Sequence, residues 1–140
     1  MPFADLSDVR IHYRLDGAEH LPVLVLSNSL GTTLDMWQPQ IAALSQHFRV
    51  LRYDTRGHGE SGVTPGPYSI AQLGGDVIGL IDHLGLQRVH FCGLSMGGIT
   101  GMWLALHHAD RLNRLVLCNT AAYIGPPENW TNRAALVERE

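Results

Sequence analysis

The sequence predicts an α/β fold: a mostly parallel sheet with helices on both faces and an antiparallel hairpin at the N-terminus. Strand-like and helix-like segments alternate along the 140 residues, which is the pattern of parallel sheets with crossover helices. The run Leu21 to Leu26 is continuously apolar, as a strand buried on both faces requires. The pentapeptide Gly93 to Gly97 lies between an apolar run and a helical one, so it marks a tight turn from a strand into a helix.

Each element has its own signal. Two short alternating segments, Phe3 to Leu6 and Arg10 to Arg14, predict strands joined by a turn at residues 7–8. After the buried strand, the pattern predicts a helix at 36–44, a strand at 49–53, a helix beginning at 69, a strand at 88–92, a helix at 96–107 and a strand at 112–118. The helix after Ser69 is the clearest, because Ser69 and Gln72 form a capping box and Gly85 supplies the stop.

Ser95 is the candidate nucleophile. On a strand-to-helix turn a serine is held in a strained backbone conformation, and the small residues Gly93, Gly97 and Gly98 leave its hydroxyl exposed above the sheet edge. The Met96 N–H, at the start of the helix, points to where an oxyanion would form, and the helix dipole reinforces it. The alternative is a glycine-rich turn with an incidental serine, but the flanking strand and helix favour the nucleophile.

Two further loops follow predicted strands, and parallel sheets place their functional loops at the carboxyl ends of the strands. Residues 27–32 are Ser-Asn-Ser-Leu-Gly-Thr, and residues 54–61 are Asp-Thr-Arg-Gly-His-Gly-Glu-Ser. Together with the pentapeptide around Ser95, these loops resemble the α/β-hydrolase family. The resemblance implies that the first loop supplies a second oxyanion donor, the backbone N–H of Leu30, although Asn28 and Ser29 replace the family's usual His-Gly.

The loop at 54–61 resembles the family's D-x-R-G-x-G-x-S turn, which implies a structural role. We expect Asp54 and Arg56 to hold the turn by a local ion pair and backbone hydrogen bonds, with Gly57 and Gly59 as turn residues. The alternative is that His58 acts as a catalytic base. A base must reach the proton that it removes, and two glycines flank this histidine, so we favour the turn role.

The resemblance also implies that an acid and then a histidine follow the serine in the chain. The histidines after Ser95 are His107 and His108, on the last turn of the predicted helix and about 18 Å away at 1.5 Å rise per residue. Neither can reach the Ser95 hydroxyl. We therefore expect the chain to be the N-terminal half of a hydrolase, truncated before the last strands and helix of the fold, and inactive alone.

The segment after the last strand predicts the start of a lid. Gly125-Pro126-Pro127 ends the regular pattern, and a helix-like run follows where the family inserts its cap, so we divide the chain into core residues 1–122 and a cap segment 123–140. Trp130 and Arg133 lie on one face of that helix and would suit a substrate that carries a carboxylate. The alternative is a surface arginine packed on a half-buried tryptophan.

Longer strings narrow the resemblance within the family. Residues 26–31, 51–59, 91–98 and 117–121 resemble the 3-oxoadipate enol-lactonases. That resemblance implies hydrolysis of a small carboxylate-bearing lactone to 3-oxoadipate through a Ser95 acyl-enzyme, in aromatic-acid catabolism, with Ser29, Trp130 and Arg133 at the substrate. It implies no metal and no organic cofactor. The alternatives are another cofactor-free hydrolase, such as a carboxylesterase or perhydrolase, or a non-catalytic truncated product.

Composition and charge exclude several other classes. With 45% hydrophobic and 16% charged residues, the chain is typical of one soluble domain at most. The net charge of −3, with no basic run, is against nucleic acid as a partner, and no apolar stretch suits a membrane span or a signal peptide. We expect a cytoplasmic protein acting on a small molecule, with Cys92 and Cys118 as buried reduced thiols. The sequence leaves the oligomeric state open.

Overall fold

The structure, a computed structural model, describes residues 2–139 and contains one six-stranded mixed sheet. The strands are β1 (Phe3–Asp5), β2 (Arg10–Asp16), β3 (Val23–Ser27), β4 (Arg49–Tyr53), β5 (Val89–Leu94) and β6 (Leu112–Cys118). Their order across the sheet is β1-β2-β4-β3-β5-β6. β1 and β2 form the antiparallel hairpin that the sequence predicts, β2 pairs antiparallel with β4, and the last four strands in this order are parallel. The predicted fold class is confirmed.

Within the described residues, four α-helices connect and follow these strands: α1 (Gln38–Leu44), α2 (Ile70–His83), α3 (Met96–His107) and α4 (Pro127–Glu138). Two 3-10 helices, Leu34–Trp37 and Ala109–Arg111, precede α1 and β6. None of the helices in residues 2–139 combines the length and the hydrophobicity that a membrane span needs. The end residues of the predicted core and cap segments, Met1 and Glu140, lie outside the described residues.

The start of α2 agrees with the sequence prediction, whereas the start of α1 differs from it. The capping box of α2 is present, with the Gln72 N–H donating to Ser69 Oγ and the Ser69 N–H donating to Gln72 Oε1. The helix predicted at 36–44 is present and ends at Leu44, but its first two residues belong to a 3-10 turn that Thr33 caps, and α1 begins after that turn with a proline in its first turn. α4 begins at Pro127, because proline fits a first helical turn and needs no N–H partner there.

The core has two parts, one on each face of the sheet. β3 is buried along its whole length: Val23 and Val25 pack with the apolar residues of α2 and α3, whereas Leu24 and Leu26 pack with Ile41 of α1. Helices therefore cover both faces, as predicted. The carboxyl ends of the four parallel strands lie at one edge of the sheet, and the loops at 28–32, 54–61 and 119–126 and the turn at Ser95 all leave from that edge.

Candidate active site

Ser95 alone separates β5 from α3, and its backbone is strained. Its φ of 55° and ψ of −111° lie in a region that side-chain-bearing residues rarely adopt. The Ser95 N–H donates to the Cys118 carbonyl at 3.0 Å, and the Ser95 carbonyl accepts the N–H groups of Gly98 and Ile99 at 2.9 and 3.1 Å. The neighbouring strand and the first turn of α3 therefore hold this conformation from both sides.

Two glycines make the turn sterically possible. A Cβ atom on Gly93 would overlap the Gly97 carbonyl, and a Cβ atom on Gly97 would overlap the Ser27 carbonyl at the end of β3. Both obstacles are backbone atoms, which cannot rotate away as a side chain can. The start of α3 consequently passes β3 at a distance that only glycine allows.

The loop after β3 is fixed by Asn28, which is 1% exposed. Its amide nitrogen donates to the Tyr53 carbonyl at 2.8 Å, its amide oxygen accepts the Trp37 indole N–H at 2.8 Å, and its carbonyl accepts the Gly97 N–H at 3.1 Å. Asn28 thereby joins the loop to β4, to the 3-10 helix before α1 and to the start of α3. The asparagine side chain supplies both the donor and the acceptor that these contacts need.

A mainly apolar cavity of about 550 Å³ opens beside Ser95. Leu30 and Met96, whose N–H groups are the predicted oxyanion donors, line it together with Ser95. The other lining residues come from the loop before α2, the loop after β6, and the helices α2, α3 and α4. They are Tyr68, Ile70, Ile99, Ala122, Tyr123, Ile124, Gly125, Pro127 and Trp130. The serine and both residues with predicted donor groups therefore line one cavity, which is large enough for a small organic substrate.

Of the three predicted substrate contacts, Trp130 alone is among the residues that line this cavity. Its indole N–H donates to the Ile124 carbonyl at 2.7 Å, which fixes the ring against the loop after β6. The Arg133 guanidinium carbon lies 5.4 Å from the centre of the Trp130 ring, and the side chain is exposed. The Ser29 hydroxyl lies 3.5 Å from Thr32 Oγ1 and 4.0 Å from Met36 Sδ.

The predicted ion pair between Asp54 and Arg56 is wrong. The Asp54 carboxylate instead accepts the Leu34 N–H at 2.8 Å and the Glu60 N–H at 3.0 Å, and it lies 2.9 Å from His12 Nδ1. Two backbone amides from different segments converge on one carboxylate, so Asp54 ties the loop at 54–61 to the 3-10 helix before α1. The predicted backbone hydrogen bonds of Asp54 are present, but they come from outside the immediate turn as well as from within it.

Arg56 is 2% exposed and bridges two aspartates from other elements. Its guanidinium binds Asp76 of α2 through two nitrogens, at 2.8 and 2.7 Å, and Asp8 of the β1–β2 turn at 3.0 and 3.1 Å. The hydrogen bond from Arg56 lowers the pKa of Asp8. Planar bidentate pairing needs guanidinium geometry, so the arginine joins three elements that are far apart in the sequence.

Three histidines contact groups other than Ser95. His58 Nε2 lies 3.0 Å from the Gly31 N–H, and its Nδ1 lies 3.2 Å from the Arg56 carbonyl. His107, at the end of α3, stacks on Trp103 with ring centres 4.6 Å apart, and His12 is buried beside Asp54. Within residues 2–139, no histidine or carboxylate hydrogen bonds to the Ser95 hydroxyl.

The two cysteines lie on the neighbouring strands β5 and β6. Both are free thiols, as predicted, and they are half-buried, with their sulfur atoms 3.9 Å apart. Burial raises the pKa of the Cys92 thiol to about 11, so it is protonated at neutral pH. Among the described residues, no three His, Cys, Asp or Glu side chains come together as metal ligands would.

Several residues at the cavity have no counterpart among the predicted site residues. Tyr68 and Ile70 precede and begin α2, and no sequence motif marks them as part of a pocket. Thr120 donates its hydroxyl to the Ser95 carbonyl at 2.8 Å, although the two residues are 25 positions apart. Its place directly after a parallel strand was the available signal, because such positions face the sheet edge where the site lies.

Comparison with known proteins agrees with this geometry. A family model described as the alpha/beta hydrolase fold matches residues 22–135. The 3-oxoadipate enol-lactonase 2 of Acinetobacter baylyi is 51% identical over 133 residues, which are 95% of this chain and 50% of that protein. The chain spans about half the length of the curated relatives that it matches.

Solved structures show the same relation. The crystal structure of the enol-lactonase from Burkholderia xenovorans LB400 superimposes with a TM-score of 0.96 and 60% identity, over 99% of this chain and 54% of that one. A thermophilic esterase from Thermogutta terrifontis superimposes with a TM-score of 0.89 and 34% identity, over 99% of this chain and 53% of that one.

Proposed function

The chain belongs to the α/β-hydrolase family, and from that premise we propose that the whole protein hydrolyses 3-oxoadipate enol-lactone to 3-oxoadipate with Ser95 as nucleophile. The observation that carries the proposal is the strained serine at φ 55°, which lies between β5 and α3 and lines a mainly apolar cavity. The choice of substrate is supported by the two relatives named as enol-lactonases, each of which matches nearly this whole chain.

In the proposed reaction, Ser95 Oγ attacks the lactone carbonyl and the N–H groups of Leu30 and Met96 bind the developing oxyanion. Collapse of the tetrahedral intermediate breaks the ring C–O bond and leaves the acyl group on Ser95, with the enolate still attached to it through the former ring. The base passes on the proton that it took from Ser95, the enolate takes up a proton on carbon, and a ketone results. Water then hydrolyses the acyl-enzyme and frees the dicarboxylate product. Each oxyanion donor contributes about 3 to 4 kcal/mol of transition-state stabilisation in such enzymes.

We further propose that the base and its orienting acid come from residues outside these 140. Among the described residues, the contacts of His12, His58 and His107 are with groups other than the Ser95 hydroxyl. A hydroxyl without a base loses several powers of ten in rate even where the oxyanion hole is intact. The proposal therefore concerns the complete enzyme, and this chain contributes the nucleophile, the oxyanion donors and part of the pocket.

The test uses a complete form, in which residues 1–140 are followed by the C-terminal half of the Acinetobacter baylyi relative. Ser95→Ala should lower kcat on the enol-lactone by about 10⁴-fold or more, because nucleophile and base act as one unit. Ser7→Ala, in the exposed turn between β1 and β2, is the matched control and should leave turnover unchanged. Turnover that survives Ser95→Ala contradicts the proposal.

The 140-residue chain alone should show no turnover above its own Ser95→Ala variant. Robust Ser95-dependent turnover by this chain would contradict the need for an external base. In that case His58 would be the candidate base, and loss of turnover in a His58→Ala variant would support that role.

The second candidate is a carboxylesterase of broader specificity. It is favoured by the mainly apolar lining of the cavity and by the 34% identity to a thermophilic esterase. The two functions differ in substrate preference, so kcat/KM of the complete form on the enol-lactone and on simple aryl esters should be compared. A preference for the uncharged aryl esters would support the esterase.

A further inference from the structure

Thr32 donates its hydroxyl to the backbone carbonyl of Ser29 at 2.7 Å. The same oxygen lies 3.1 Å from Met36 Sδ, but a thioether sulfur is a weak acceptor, so the single hydroxyl proton belongs on the carbonyl. In the part of the chain that the structure describes, no other group donates to the Ser29 carbonyl. Thr32 is thus the hydrogen-bond partner that fixes this carbonyl.

The Ser29 carbonyl belongs to the same peptide group as the Leu30 N–H. A trans peptide is planar, and its C=O and N–H point in opposite directions. A hydrogen bond that fixes the carbonyl on one side therefore fixes the direction of the Leu30 N–H on the other. Among residues 2–139 that N–H has no hydrogen-bond acceptor, although Leu30 lines the cavity beside Ser95.

The following peptide group is held by a second side chain. Gly31 has φ of 76°, and its N–H donates to His58 Nε2 at 3.0 Å. Since Nε2 accepts here, the ring proton belongs on Nδ1, which faces the Arg56 carbonyl at 3.2 Å. The two peptide groups on either side of Leu30 are consequently each tied to a different side chain.

The peptide group of the other predicted donor, the Met96 N–H, is also fixed through its carbonyl, but by three hydrogen bonds instead of one. Thr120 donates its hydroxyl to the Ser95 carbonyl at 2.8 Å, and that carbonyl shares a peptide group with the Met96 N–H. The Ser95 carbonyl also accepts two N–H groups from the first turn of α3. The direction of the Met96 N–H is therefore fixed by α3 as well as by Thr120, whereas the direction of the Leu30 N–H depends on the hydrogen bond from Thr32.

We propose that Thr32 is a positioning residue for the oxyanion hole: its hydroxyl, acting through the Ser29 carbonyl, aims the Leu30 N–H at the site of the developing oxyanion. This inference rests on the proposed function. Donation to the carbonyl also polarises the peptide group, which strengthens its N–H as a donor. The effect is required mainly in the transition state, where the negative charge develops.

The test compares Thr32→Val, which keeps the shape and removes the hydroxyl, with Thr32→Ser, which keeps the hydroxyl, both in the complete form. Thr32→Val should lower kcat about tenfold and change KM by less than about twofold. The loss in kcat is smaller than the hundredfold or more that follows removal of a whole oxyanion donor, because the Leu30 N–H is still present. Thr32→Ser should restore most of kcat. Thr33→Val is the matched control, since the Thr33 hydroxyl accepts the Asp35 N–H and is not bonded to Ser29.

A second measurement separates positioning from general loss of structure. Thr32→Val should weaken a boronic acid inhibitor, which forms a charged tetrahedral adduct with the serine, by about the same factor as kcat/KM falls. The inhibition constant of the product 3-oxoadipate should stay unchanged. Equal weakening of both ligands, or an unchanged kcat in Thr32→Val, would overturn the proposal.

Failure of the proposed function is distinguishable from failure of this inference. If the complete form shows no Ser95-dependent turnover, the proposed function fails, and crystal structures of the parent and of Thr32→Val decide the inference alone. A Ser29–Leu30 peptide that rotates in the variant supports the positioning role. A peptide that keeps its orientation without the hydroxyl contradicts it.

Discussion

At the scale of single residues, the turn around Ser95 depends on backbone atoms that have no room to move. Gly97 lies against the Ser27 carbonyl, which is itself fixed within the parallel pairing of β3 with β5. A side chain at this position must therefore displace either the end of β3 or the start of α3. The loop after β3 holds the proposed Leu30 donor and the start of α3 holds the proposed Met96 donor, so the steric limit at one glycine is also a limit on the geometry of the site.

Gly97→Ala should lower the free energy of unfolding of the complete form by about 1 to 3 kcal/mol, the usual cost of overpacking, or more because the obstacle is backbone. Gly75→Ala in α2 is the matched control. No atom lies within 4 Å of a Cβ built there, so alanine should be neutral or stabilise the helix by up to about 1 kcal/mol. Urea denaturation of both variants measures the difference. Equal stability would mean that the turn is looser than its contacts indicate.

The turn at Ser95 could be predicted because five consecutive residues encode it, between a recognisable strand and a recognisable helix. The partners of Arg56 could not. They are 20 and 48 positions away, and the nearest carboxylate in sequence, Asp54, is engaged by backbone amides instead. The place of Tyr68 at the cavity has the same origin, because it arises from contacts between segments that only the folded sheet brings together.

At the scale of elements, capping signals determined which helices could be predicted accurately. The Ser69 capping box and Gly85 stop lie within α2's own sequence, so its existence and its ends followed from local chemistry. The 3-10 turn before α1 differs because the Asp54 carboxylate, from another segment, accepts the Leu34 N–H at its start. Asp54 is 20 positions from Leu34, so the sequence around the turn does not predict this hydrogen bond.

Helix α4 combines an aromatic side chain at the cavity wall with a neighbouring arginine. It brings Trp130 to the cavity wall and holds Arg133 over the tryptophan ring. We propose, as the sequence suggested, that Arg133 pairs with the substrate carboxylate in the complete enzyme. A guanidinium beside an aromatic wall can turn toward an anion while its stem stays packed.

Arg133→Ala should lower kcat/KM of the complete form on the enol-lactone by roughly ten- to a hundredfold, because a charge-assisted hydrogen bond contributes about 1.5 to 3 kcal/mol. A neutral lactone of similar size should lose little. Arg139→Ala, at the C-terminal end of the same helix, is the matched control and should affect neither substrate. Equal losses on charged and neutral lactones would assign Arg133 a structural role and place the carboxylate elsewhere.

At the scale of the whole molecule, the two faces of the sheet are covered unequally. The α2 and α3 face carries the larger buried cluster. On the opposite face α1 covers β3 and β4, and an apolar groove of about 550 Å³ runs beside it along β5 and β6. Val116 of β6 lines this groove and is 52% exposed. β6 is also an edge strand, so apolar side chains and unpaired backbone groups lie next to each other.

We therefore expect the 140-residue chain to self-associate through the groove and the β6 edge, because exposed apolar surface beside an open strand favours contact with another copy. Its apparent mass by light scattering should rise with concentration. Val116→Lys places a charge in the groove and should reduce that rise. Val63→Lys is the matched control: Val63 is 81% exposed in the loop before α2 and does not line the groove, so its substitution should change little. A parent chain that stays monomeric across the concentration series and melts in one sharp transition would contradict the expectation, since the groove would then have to be covered within a single copy.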